Sequence, residues 1–187
     1  MFLSFNSISK AEESYLFGGV KLFNYGIESS DLQVINTSLV SLGFSSSTSS
    51  TDNSGVGFDF GAGFNVAENF ALEVGYVDYG TLEINTTTTG PTETIKPEIS
   101  GTGLTAAGVL KFGDNMENFY VKGGFHRWDF EGKVTASLGS SSAPLGTGTD
   151  PMLGAGFIFE NFYASYDYYM IDDGDISSIG IGFRKAF

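Results

Sequence analysis

Along most of the chain, apolar residues alternate with glycine, hydroxyl or charged residues, the period of a β-strand whose faces meet different surroundings. From Phe70 the split is Phe70, Leu72, Val74, Tyr76 against Ala71, Glu73, Gly75, Val77. From Phe119 it is Phe119, Val121, Gly123, Phe125 against Tyr120, Lys122, Gly124, His126. From Phe162 it is Phe162, Ala164, Tyr166, Tyr168 against Tyr163, Ser165, Asp167, Tyr169. Upstream of these, Val56–Val66 and Leu104–Phe112 alternate in the same way, and Leu153–Phe159 does so more weakly. Leu16, Gly18, Val20, Leu22 against Phe17, Gly19, Lys21, Phe23 open the set, and Ile179, Ile181, Phe183 against Gly180, Gly182, Arg184 close it. The pattern predicts about eight strands in hairpin order, an all-β antiparallel meander.

One tripeptide marks the joins. Glu68-Asn69-Phe70, Glu117-Asn118-Phe119 and Glu160-Asn161-Phe162 each lie between two alternating stretches. Glu and Asn suit an exposed tight turn, and each Phe opens the next strand. The other connections, 27–54, 85–100 and 132–149, are long and polar, and a short acidic one, Ile-Asp-Asp-Gly-Asp-Ile, comes last. In the first of them Leu32, Ile35, Leu39 and Leu42 have helix-like spacing. The preferred expectation there is nevertheless strand extension. Short and long connections alternate, as in outer-membrane barrels with short periplasmic turns and longer extracellular loops.

Composition narrows the class. The chain has 187 residues with 26 Gly and 18 Phe, which fits one β domain. A formal net charge of −13 argues against nucleic acid as a partner. Cysteine is absent, so no disulfide or thiolate site exists. No apolar run approaches the ~18 residues of a membrane-spanning helix, a test that leaves membrane barrels untouched. Residues 1–13 are expected to be a leader or the remnant of an export signal lacking its basic region. Residues 14–187 are expected to form the barrel.

Two barrels fit this pattern with opposite faces inward, and a soluble β-sandwich is a third alternative. A soluble ligand-binding barrel turns its large apolar face in; a membrane barrel turns it toward lipid. The Phe/Leu/Val face is too bulky for an eight-stranded interior, whereas the glycine-rich face fits. That face carries both signs of charge, Lys21, Asp59, Glu73, Lys122, Asp167 and Arg184, and buried charges must pair. Glu73 is expected to partner Lys21 or Lys122. Aromatics gather near the strand ends as two girdles: Phe70, Phe119 and Phe162, with Phe64, Phe112 and Phe187, by the short turns; Tyr76 and Tyr168, with Tyr79, Phe130 and Tyr169, by the long ones. The preferred reading is an eight-stranded antiparallel up-and-down transmembrane β-barrel. Its filled lumen is expected to conduct little.

Laid out this way, the chain resembles the OmpA-type and OmpX-like eight-stranded barrels of Gram-negative outer membranes. "YLFGGVKLFNYG" resembles the family's first strand, with Lys21 as its inward lysine. "FALEVGYVDYG" resembles the third, with Glu73 as its inward acid, and "FYVKGGFHRWDF" the fifth, with Lys122 as its interior base. The C-terminal strand, with Gly182 and Phe187, is similar to the signal read by the barrel-assembly machinery, although Lys185 replaces a usual aromatic. Ile158 stands where an inward acid is common, which points to a network rewired through Asp59 and Asp167. The resemblance covers roughly Ser14 to Phe187 and implies the membrane domain only, so cell-wall anchoring through a peptidoglycan-binding domain is not expected to carry over.

The resemblance implies a non-enzymatic envelope protein with outer-membrane lipid and lipopolysaccharide around it. An Ail-type adhesive role for its loops is the alternative, and a lipid A enzyme a more distant one. The lipid A deacylases, which are similar in scaffold, use a His and Ser pair on lipid-facing positions. Here the single histidine, His126, points inward by parity, and Trp128 stands two residues after it, where the Ser would be. No metal or other cofactor is expected: one His without Cys cannot assemble a zinc site, and Asp172, Asp173 and Asp175 read as a solvated acidic loop.

Overall fold

The computed structural model describes residues 14–27, 29–41, 43–89, 93–112, 119–136, 139–171 and 174–187. In chain order the elements are β1 (Tyr15–Tyr25), α1 (Ser29–Ser41), β2 (Ser46–Thr51), β3 (Ser54–Ala67), β4 (Phe70–Thr89), β5 (Glu93–Phe112), β6 (Phe119–Ala136), β7 (Gly139–Phe159), β8 (Phe162–Tyr169) and β9 (Ile176–Ala186). Every strand except β2 pairs antiparallel with two neighbours in a ring, and β9 closes on β1 from Tyr15↔Ala186 to Tyr25↔Ile176. Eight strands therefore form the barrel. β2 is extra: it takes over the edge of β4 above the point where β3 ends its pairing.

The alternation works as a map of inside and outside. Large apolar side chains point outward on all eight barrel strands, from Val20 on β1 to Ile181, 70% exposed, on β9. Lys21, between two such residues, is 1% exposed. On β3 the outward apolar run goes from Val56 to Val66, roughly 25 Å of height for a strand tilted near 40°. That matches the apolar thickness such a barrel must present to lipid.

Glu68-Asn69 and Glu160-Asn161 are two-residue turns, with Ala67 facing Phe70 and Phe159 facing Phe162. The third copy, Glu117-Asn118, lies outside the described residues. Phe64, Phe112, Phe162 and Phe187 are exposed at that rim, and Phe70 and Phe119 are partly so.

Three expectations are corrected by the structure. Connections 85–100 and 132–149 are largely strand, because β4 and β5 pair up to Thr88↔Glu93 and β6 and β7 up to Ala136↔Gly139. The Thr- and Ser-rich sequences there satisfy their backbone groups by continuing the ladders above the apolar belt. The first connection holds the expected strand extension, as β2, but also a helix, α1, with Leu32, Ile35 and Leu39 partly buried; Leu42 lies outside the described residues. It docks over β2, where Asn36 Oδ1 accepts hydrogen bonds from Ser47 Oγ at 2.9 Å and Ser49 Oγ at 2.8 Å. Finally, Tyr79, Phe130 and Tyr169 do not join an outer girdle. They are almost wholly buried inside the barrel, while Tyr76 packs outside at a tilt against Phe58 and Phe60, and Tyr168 stays partly exposed.

Glycine makes room for the large rings inside. A Cβ at Gly63 would lie 2.0 Å from the Tyr15 ring, and one at Gly101 would lie 2.2 Å from the Phe130 ring. On the lipid face Gly123 has nothing nearer than Leu153 at 3.4 Å. Gly63→Ala is expected to lower the fraction that reaches the compact, heat-shifted band on a gel after refolding into detergent, and Gly123→Ala to leave it unchanged. Equal yields would contradict the packing described.

Candidate functional site

The interior of the ring is the part of the molecule with concentrated chemistry. Inward parity on four strands brings Lys21 of β1, Asp59 of β3, Lys122 of β6 and Asp167 of β8 to one level. Asp167 is the hub. It is fully buried, pairs through Oδ2 with Lys21 Nζ, and pairs through Oδ1 with Lys122 Nζ at 2.8 Å. Lys21 Nζ also meets Asp59 Oδ2 at 3.2 Å. Two lysines and two aspartates therefore balance.

Hydroxyls satisfy the remaining lone pairs. Tyr163 donates to Asp59 Oδ1 at 2.9 Å, and Ser165 donates to Asp167 Oδ2 at 3.1 Å. Charges so far out of water are tolerable only with this degree of pairing and hydrogen bonding.

The other two charges of the expected set stand apart. Among the described residues, Glu73 has no lysine within ion-pair distance; its Oε1 accepts a hydrogen bond from Tyr15 Oη at 2.6 Å. The expectation that it partners Lys21 or Lys122 is thus corrected, because Asp167 reaches both lysines first. Arg184 lies 3.5 Å from the centroid of the same Tyr15 ring, a cation–π contact. Tyr15 so links Glu73 and Arg184 in a second layer nearer the short turns. Lys111 lies in that layer too, donating to Asn65 Oδ1 at 2.8 Å. Ile158, at 7% exposure, faces inward there without a charge.

The voids around these layers measure about 20 Å³ and 10 Å³. One water needs about 10–15 Å³, so each of these voids has room for about one water. Above them Phe23, Tyr25, Val77, Tyr79, Phe130 and Tyr169 close the lumen with an aromatic layer. His126 is built into that layer. Its Nδ1 lies 2.6 Å from Tyr79 Oη and its Nε2 3.0 Å from the Met170 carbonyl oxygen. A carbonyl only accepts, so Nε2 carries the proton and Nδ1 accepts from Tyr79. With both nitrogens engaged, this histidine is placed as a structural strut.

The tyrosines were the residues that charge counting passed over. Tyr15, Tyr163 and Tyr169 sit at inward parity among glycines, and that placement is the signal that would have found them.

A closed antiparallel ring, an apolar belt facing out and a charge-paired interior define an integral membrane β-barrel. The model of the OmpA-like transmembrane domain family matches residues 12–167, most of the chain. The protein belongs to that family, and its place is the bacterial outer membrane. Among solved structures it is similar to Ail, the attachment invasion locus protein of Yersinia pestis, at 19% identity and a TM-score of 0.56, over 94% of this chain and 99% of that one. Ail in complex with the heparin analogue sucrose octasulfate matches at 17% identity and 0.54, with the same shares covered. The N-terminal β-barrel domain of Pseudomonas aeruginosa OprF matches at 14% identity and 0.48, over 94% of this chain and 100% of that one. At these identities the likeness speaks to fold alone. A comparison with curated proteins finds no match.

The hub makes the charged residues unequal. Asp167→Ala leaves two buried lysines short of a partner and is expected to reduce stability by about 3–5 kcal/mol. Glu73→Ala removes one hydrogen bond from a tyrosine and is expected to cost about 1–3 kcal/mol. Urea unfolding of both variants in one detergent checks the order; a larger loss for Glu73→Ala would contradict it.

Proposed function

We propose that the protein is a non-enzymatic structural element of the Gram-negative envelope, with extracellular hairpins that present a surface for contact. The sealed lumen carries this reading. Ion-paired and aromatic layers fill the space a conduit would need, and the single histidine has both nitrogens occupied. Its surroundings are outer-membrane lipid and lipopolysaccharide, held by the apolar belt. Gly182 and the exposed Phe187 on the closing strand would serve the barrel-assembly machinery as its recognition signal.

A second reading, contact with an extracellular ligand, is favoured by the hairpins themselves. β4 continues from Gly80, level with Val56 at the end of the belt, to Thr89, roughly 30 Å of strand beyond it. Such ladders are rigid enough to present side chains. Their ligand would differ in charge from the sulfated sugar in the Ail complex. Segments 26–57, 79–103, 127–150 and 170–176, all on the long-connection side, hold twelve Asp and Glu against three Lys and Arg. That side repels a polyanion.

Two outcomes are expected in cells. Loss of the protein raises outer-membrane permeability to a hydrophobic dye, and a variant trimmed of residues 85–94 and 134–141 restores the barrier. If the trimmed variant assembles and folds but restores nothing, the function lies in the hairpins. Removing Phe187 is expected to lower the amount assembled in the membrane while leaving refolding into detergent unchanged; normal assembly would contradict the signal role.

A further inference from the structure

Above the aromatic layer the barrel mouth holds an apolar bowl of about 210 Å³. Ile27, Ile99, Trp128 and Ile171 form its wall, packed on the layer below but only partly buried themselves. Phe130 contributes to its floor, and Leu145 at the rim is 57% exposed. Among the described residues that line it, none is charged. The hairpins around it are rich in Ser and Thr, so this surface does not continue theirs. Apolar area left open to water forgoes about 25 cal/mol per Å². The aromatic layer beneath makes the bowl a receptacle with a closed floor.

The polar donors along this surface are already engaged. Tyr25 Oη donates to the Tyr79 carbonyl oxygen at 2.8 Å. Trp128 donates its indole N–H at 2.6 Å to Asp150, which pairs across the ladder with His126 below the floor. On the two connections, the Gly26 and Ile27 amides donate to the Asp175 and Tyr25 carbonyls at 3.1 and 2.8 Å. The Gly174 amide donates to the Ile171 carbonyl at 3.0 Å, and the Ile171 amide to Asp175 Oδ1 at 3.2 Å. The other oxygen of Asp175 accepts from the outward-facing Tyr168 hydroxyl. A guest bearing a charge or an unmet hydrogen bond would lose water here and gain no partner. The lining therefore selects a neutral, apolar guest.

Size and access narrow the guest further. An apolar cavity of about 150 Å³ stays dry and admits benzene, whereas pockets for drug-sized ligands run roughly 300–1,000 Å³. The bowl lies between them, with room for one ring and a short substituent. β6 continues from Phe130 to Ala136, roughly 20 Å of ladder above the floor, which keeps a folded partner away from it on that side. Lipid lies on the other side of the barrel wall. We infer that the bowl binds a small neutral apolar molecule of about one ring, taken up from the surrounding water. The ring lies against the Trp128 indole, which is fixed on the wall by Asp150 and by Gly148, where a Cβ would come within 2.5 Å of it. With the floor closed, the guest is held and not passed inward. The site is independent of the barrier role and of any ligand held by the hairpins.

Trp128 is the single tryptophan of the chain, so its fluorescence reports on this bowl, and a bromine in contact with it quenches the emission. The full barrel in phosphatidylcholine nanodiscs is titrated with bromobenzene, 4-bromobenzylammonium, 4-bromobenzoate and neutral N-acetyl-4-bromophenylalanine amide. The expected result is saturable quenching by bromobenzene, at a free concentration about tenfold or more below that needed for either ion. The amino-acid amide, which stands in for a partner protein's side chain, should bind more weakly than bromobenzene. Ile171→Arg, in a connection outside the strands, should abolish the quenching while the heat-shifted folded band persists. Leu145→Arg, at an exposed position, serves if that variant fails to fold. Binding of either ion as tight as that of bromobenzene would overturn the inference, and tighter binding of the amide would assign the bowl to a partner's side chain instead. Quenching that grows without saturation or survives the arginine would mark partition into lipid and overturn it too, as would no quenching of a folded barrel.

Discussion

Eight strands enclose a space about one layer of side chains wide, and any charge placed in it must be answered there. Asp167 answers two. Lying between Lys21 and Lys122, with Asp59 completing the balance, it ties β8 to β1 and β6 across the lumen and, through Lys21, to β3. The remaining interior is fitted to this cluster. Tyr163 and Ser165 supply its missing donors, Tyr15 bridges Glu73 and Arg184 on one side, and the Tyr79, Phe130 and Tyr169 rings close the other. Rings of that size fit because glycines such as Gly63 and Gly101 stand opposite them.

The barrel was legible in the sequence because both of its faces obey a period of two. Alternation separated Val20 from Lys21 and Phe58 from Asp59, and the Glu-Asn-Phe turns set where each upward strand begins. Lys21, Asp59, Lys122 and Asp167 were nameable because a charge between apolar residues in a strand has one place to go. Partnership was not legible. Parity says that Glu73 faces inward, but only height along the tilted strands places Asp167, and not Glu73, beside the two lysines.

The extracellular end was read less well, for a local reason. Its sequences are Ser- and Thr-rich, so no apolar period shows that β4, β5, β6 and β7 continue. α1 has too few apolar positions to outweigh the strand expectation. Tyr79, Phe130 and Tyr169 looked like girdle residues because aromatic type and nearness to a rim do not distinguish lipid from lumen; their inward parity does. The two ends consequently differ in kind. The turn end is short and rimmed with phenylalanine, whereas the hairpin end rises above the belt, carries most of the negative charge and holds an apolar bowl over a closed floor.

Because the lumen is filled by paired charge and by rings packed edge-on and tilted against one another, the barrel should stop ions. The most direct test is current across a planar lipid bilayer containing the refolded protein at neutral pH. A sealed interior yields no steady current after insertion is verified by the heat-shifted band. A sustained open level carrying current through the barrel would contradict the account, since it would require the cluster around Asp167 to part and admit water.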